Sequence, residues 1–153
     1  MSKVFYLSEI VKFAVEKEKQ AFELYKMLHD ASADEESKKL FSYLMEQELQ
    51  HEKFYGAMLS GVTEEQSPEV KEDNEYTAYM DELINSSRKI APYQDLDFND
   101  LNSVLDYAMA REKDSILFYV GLKNLAPKAA HDHIDQIINE EGKHLVMISK
   151  MIK

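Results

Sequence analysis

Residues Leu44–Met58 read LMEQELQHEKFYGAM, and the phase of this stretch decides the fold. Without proline, and with its single glycine near the end, it reads as a helix whose apolar row runs Leu44, Tyr55, Met58. Glu48 and His51 stand in that same row, because side chains at i and i+3 share one helix face. An unpartnered carboxylate is costly to bury, and metal coordination is one way to remove the cost. The arrangement returns near the end of the chain as Glu141 and His144, between Ile138 and Ile148.

Three more long helices follow from the flanking sequence. The first spans about 8–31, capped by Ser8, with the row Leu7, Val11, Ala14, Glu18, Ala21, Tyr25, Leu28. The second, which contains the opening stretch, spans about 33–60. Ser32 and Glu35, which have capping-box spacing, start it, and Gly61 stops it. The third begins near Asp97 or Asn99 and spans about 98–123, with the row Leu101, Leu105, Ala108, Glu112, Ser115, Tyr119, Leu122. The fourth spans about 127–150, with Pro127 in its first turn and the row Ile134, Ile138, Glu141, His144, Ile148, Ile152. Residues 61–97 are acidic and thinly apolar. They read as a crossover with a short, less buried helix that starts at Ser67–Pro68 and ends before Pro92. The expectation is one all-α domain over 1–153, an antiparallel four-helix bundle whose long crossover links its two ends.

Composition narrows the function. The net charge of −11 disfavours nucleic acid and anionic membrane surfaces as partners. The absence of cysteine removes disulfides, thiolate nucleophiles and sulfur-ligated zinc or iron–sulfur sites. No apolar run approaches the ~18 residues of a membrane span, so a cytoplasmic protein is expected.

The chain also repeats itself. Glu18 and Tyr25 recur 94 residues later as Glu112 and Tyr119, and Glu48 and His51 recur 93 residues later as Glu141 and His144. A two-helix unit used twice predicts a pseudo-two-fold site. Glu18, Glu48, His51, Glu112, Glu141 and His144 supply four carboxylates and two imidazoles, enough for two divalent metals with two carboxylates shared. Oxygen and nitrogen donors without sulfur suit iron or manganese, and zinc can also bind.

These motifs resemble the ferritin-like di-iron carboxylate proteins, and most closely their rubrerythrin-like branch. In that family two helices each give one Glu and two give Glu-x-x-His. The resemblance covers about 8–60 and 98–150. It implies two iron ions (manganese or zinc as alternatives) held by the six residues, and reduction of hydrogen peroxide or O₂ in oxidative-stress chemistry. The runner-up is a ferroxidase that sequesters iron, and a metal-free structural bundle is the third reading. Two departures stand out. Rubrerythrins carry a further carboxylate three residues after the third helix's Glu, where this chain has Ser115. With no cysteine for a rubredoxin-like domain, electrons are expected from a separate donor such as a rubredoxin. Family members also form homodimers, some by exchanging helices.

Tyr25 and Tyr119 either hydrogen-bond and orient the ligand carboxylates or simply pack in the core. His29, His131 and His133 read as surface residues, and Glu46, Glu52 and Glu140 as a solvated face.

Overall fold

The computed structural model describes residues 7–61, 75–89 and 93–152. It contains α1 (Leu7–Ala31), α2 (Glu35–Gly61), α3 (Glu75–Arg88), α4 (Leu101–Leu125) and α5 (His131–Ser149), with short 3₁₀ turns at Tyr93–Asp95 and Lys128–Ala130. There is no strand among the described residues.

The connections set the directions. Short links between α1 and α2, and between α4 and α5, make each pair an antiparallel hairpin, and each pair packs closely along its length. Across the hairpins Tyr25 reaches Glu112 while the earlier Glu18 is met by the later Tyr119, so α1 and α4 are also antiparallel. In the same way His51 meets Glu141 while the earlier Glu48 meets the later His144, so α2 opposes α5. It follows that α2 and α4 run in the same direction, which no short loop can achieve. The long segment between them exists for that reason.

Two apolar layers close the interior. One gathers Ile10, Val11, Ala14, Tyr55, Phe118, Tyr119, Leu122 and Ile134. The other gathers Leu24, Tyr25, Leu28, Phe41, Leu44, Val104, Leu105 and Ile148. Glu18, Glu48, His51, Glu112, Glu141 and His144 lie between the layers along their helices and are all buried. Leu101 departs from the expected row: at the first turn of α4 it lies beyond the second layer and is 43% exposed.

Helix starts also differ from expectation. Ser8 lies inside α1, because Leu7 is already buried in the first layer and packing carries the helix past the serine. At α2 the cap is Asp34, whose carboxylate accepts from the Ser37 amide at 2.8 Å. Ser32 instead donates to the Leu28 carbonyl at 2.7 Å, satisfying a free carbonyl at the end of α1. At α4 it is Asp100, accepting from the Ser103 amide, while Asp97 bonds Asn99. Pro127 precedes a 3₁₀ turn, so α5 begins at His131. The expected start at Ser67–Pro68 lies outside the described residues.

The crossover helix is more deeply anchored than its composition suggests. Met80 and Ile84 of α3 are buried in the first layer, and Ser87 is buried beside them. Lys17 of α1, also buried, pairs with Asp114 of α4 and donates to Ser87 at 3.1 Å, and Ser87 donates to Asp114 at 2.8 Å. Burial pushes the Lys17 ammonium below its usual range against the pull of Asp114. Removing one partner of such a pair leaves the other charge uncompensated. Asp114→Ala is therefore expected to cost about 3–5 kcal/mol in urea unfolding. A loss under 1 kcal/mol would show that water reaches Lys17 freely.

Candidate metal centre

Each helix of the bundle delivers its polar residues at a point where neighbouring positions are apolar, so packing of the layers forces the six side chains together. Their donor atoms form two groups of four, each within 4.8 Å of one another: Glu18, Glu48, His51, Glu141 and Glu48, Glu112, Glu141, His144. Glu48 and Glu141 belong to both. Glu18 and His51 belong to one group, and Glu112 and His144 to the other.

The imidazoles present Nδ1 inward. His51 Nδ1 lies 2.8 Å from Glu141, 3.6 Å from Glu18 and 3.8 Å from Glu48. His144 Nδ1 lies 2.8 Å from Glu48, 3.6 Å from Glu112 and 4.0 Å from Glu141. The short His144–Glu48 contact is not aligned as a hydrogen bond. Glu18 Oε2, Glu48 Oε1, Glu112 Oε2 and both ring nitrogens of His144 are buried without a hydrogen-bond partner. Unpaired buried polar atoms are rare and costly, and here they converge on one place. The donor set fits divalent iron or manganese, and four carboxylate charges would balance two such ions.

Without metal, protons hold the cluster together. Burial, reinforced by the neighbouring carboxylates, pushes Glu48 and Glu141 far above the usual range. Burial also raises Glu112, but the neighbouring Glu141 and His144, with the Tyr25 hydroxyl, outweigh it and hold that carboxyl low. Burial would lower both imidazoles, yet the surrounding carboxylates win and raise them. Protons therefore sit where cations would otherwise stand.

The tyrosines are bound reciprocally. Tyr25 of α1 donates to Glu112 of α4, and Tyr119 of α4 donates to Glu18 of α1. Burial and the nearby carboxylates raise both phenols well above their usual value, so they stay protonated as donors.

Glu140 corrects an expectation. It is not simply part of a solvated face: its Oε2 lies 2.5 Å from His51 Nε2, and Gln136 donates to its other oxygen at 3.0 Å. Burial nudges its carboxyl upward, but the bonds from His51 and Gln136 prevail and keep it ionised. The Nε2 proton of His51 is thus fixed outward, leaving the Nδ1 lone pair for the centre. The repeat carried no signal for it, because the contact depends on how α5 sits beside α2: the carboxylate directly before Glu141 crosses to the imidazole of the opposite helix. The residue 93 positions earlier is Gln47, and His144 Nε2 has no bond from it. His29 pairs with Asp30, His131 lies 3.0 Å from the Ala126 carbonyl, and His133 stacks on Phe54, all outside the cluster.

Helices arranged in this way around a buried, sulfur-free cluster of carboxylates and imidazoles define a ferritin-like bundle able to hold metal. Residues 9–152 match the model of the rubrerythrin family, and the chain belongs to it. A solved structure from Thermotoga maritima, provisionally described as a ferritin-like diiron-carboxylate protein, superposes with a TM-score of 0.74 at 25% identity. The match covers 99% of this chain and 97% of that one. No curated protein matches the sequence. No helix is long and apolar enough to cross a membrane, among the described residues.

Proposed function

We propose that Glu18, Glu48, His51, Glu112, Glu141 and His144 bind two iron or manganese ions, with Glu48 and Glu141 shared between them. On this reading the protein is a cytoplasmic oxidoreductase that reduces hydrogen peroxide or O₂ with electrons from a separate donor protein, and works as a homodimer. The observation that carries it is the convergence of unpaired carboxylate and imidazole atoms in a buried layer between two apolar ones. Two redox-active ions in that place would supply the two electrons that cleavage of an O–O bond requires. The chain's own part is positional. Tyr25 and Tyr119 hold the two unshared carboxylates, Glu140 orients His51, and the apolar layers exclude bulk water.

Anaerobic titration with Fe²⁺ followed by rapid mixing with peroxide or O₂ tests the reading. Saturation at two ions per chain, with faster oxidation by peroxide, supports it. Faster oxidation by O₂, together with a hollow multi-subunit shell on size exclusion, would replace it with iron sequestration. Failure to bind metal would overturn both.

Glu140 offers a second test. Glu140→Gln should weaken one of two Mn²⁺-binding steps in calorimetry by about 10–100-fold, the usual cost of losing such an outer partner. Two unchanged steps would mean that Glu140 has no hold on the centre.

A further inference from the structure

A cavity of about 20 Å³ lies between α1 and α4 and ends against the centre. Its inner wall is Tyr25 and Glu112, hydrogen-bonded to each other, and one Glu112 oxygen is buried with no partner. Lys17 forms part of its side, its ammonium held by Asp114 and Ser87. At the outer end Arg111 of α4 donates to Gln20 of α1 at 2.8 Å, with its guanidinium over the Tyr107 ring. Gln20 is exposed and Arg111 half-buried, so their bond lies at the solvent end of the cavity. The apolar layers lie to either end of the centre, and His51–Glu140 and His144–Glu48 contacts bridge α2 and α5.

We propose that this cavity is the port by which a small O–O oxidant reaches the Glu112 side of the centre, with the Arg111–Gln20 bond as its shutter. The inference rests on the metal-binding reading above. Size sets the specificity. A space of this volume holds about one water-sized guest, so hydrogen peroxide or O₂ can be admitted, whereas an organic hydroperoxide needs the shutter displaced. Ala21 on α1 and Ser115 on α4 are small lining residues, and neither is a proposed ligand.

Ala21→Leu and Ser115→Leu fill the cavity from opposite sides, and Arg111→Ala opens its mouth. Metal stoichiometry is read first, by Co²⁺ titration, and helix content by circular dichroism. Azide binding to the Co²⁺-loaded proteins, followed by visible absorption, then reads access without turnover. The expected result is two ions per chain throughout, with azide affinity and Fe²⁺ oxidation by peroxide and by O₂ falling at least tenfold in either filled variant. Arg111→Ala should raise the rate with cumene hydroperoxide relative to hydrogen peroxide. A fall with only one of the two oxidants identifies which one uses the port. Full metal binding with unchanged azide affinity and oxidation in both leucine variants would overturn the port alone. Loss of metal binding in the unsubstituted protein would overturn the centre, and the port with it. If one leucine variant fails to fold, the other and Arg111→Ala still decide.

Discussion

Glu48→Ala should reduce bound metal from two ions per chain to fewer than one, and abolish metal-dependent peroxide consumption. Glu48 and Glu141 belong to both groups of donors, so either loss is felt at both positions. The penalty should exceed the about 10–100-fold typical of residues that only support a ligand. His144→Ala, by contrast, removes a donor from one group only. It should leave one ion bound in the Glu18–His51 group and still stop turnover, because a two-electron reduction needs both. Plasma emission analysis of protein dialysed against a metal buffer separates the cases. Full occupancy in Glu48→Ala would remove that residue from the site.

The second large effect is the response to metal removal and its dependence on pH. In the metal-free protein Glu48 and Glu141 are raised above their ordinary value of 4.5, and His51 and His144 above 6.5. A group whose folded-state pKa is raised contributes stability that is fully present below its unfolded pKa and is lost as pH rises towards the folded one. All four therefore act in the same sense between about pH 5 and 8, and the metal-free protein should melt at progressively lower temperature across that window. Glu112 is depressed, so its contribution is lost only in acid, as pH falls below 4.5. Metal displaces the same protons, so its affinity rises with pH. The loaded protein should hold or gain stability where the metal-free protein loses it. At free metal a hundredfold above Kd, each position adds about 2.7 kcal/mol. Two positions then amount to roughly 10–20 °C in Tm for a chain of this size. Calorimetric scans with and without a chelator measure the difference. Parallel pH profiles would sink the idea that protons and metal compete for one cluster.

Much of the buried cluster was legible in the chain itself, because burial of a carboxylate is so unfavourable that a Glu in an apolar row announces a partner. Glu18, Glu48, Glu112 and Glu141 could be read from period alone, and the 93- and 94-residue offsets paired them. Which carboxylates are shared could not be read, since that depends on the relative height of helices from different hairpins. Glu140 was misread for a related reason. One position off the stripe looks solvated on an isolated helix, but beside the neighbouring helix it points at an imidazole. Helix starts were missed where several good caps stand in a row, as at Ser32 and Asp34. There the choice turned on Ser32 being needed by the preceding helix. Lys17 gave no signal, because a lysine beside Glu18 reads as an ordinary surface charge until Asp114 is brought to it from α4.

The division of the site between the hairpins has a genealogical consequence. Each hairpin supplies three of the four donors for its own group, and borrows the fourth from its counterpart. A chain of half this length, pairing with a copy of itself, would present the same six side chains about a true two-fold axis. The present chain reads as two such copies fused through the crossover, after which they have drifted apart. Tyr25 and Tyr119 still mirror one another, whereas Glu140 and Gln47 no longer do. One imidazole is thus backed by a charge and the other is not, so the two halves of the repeat are chemically distinct.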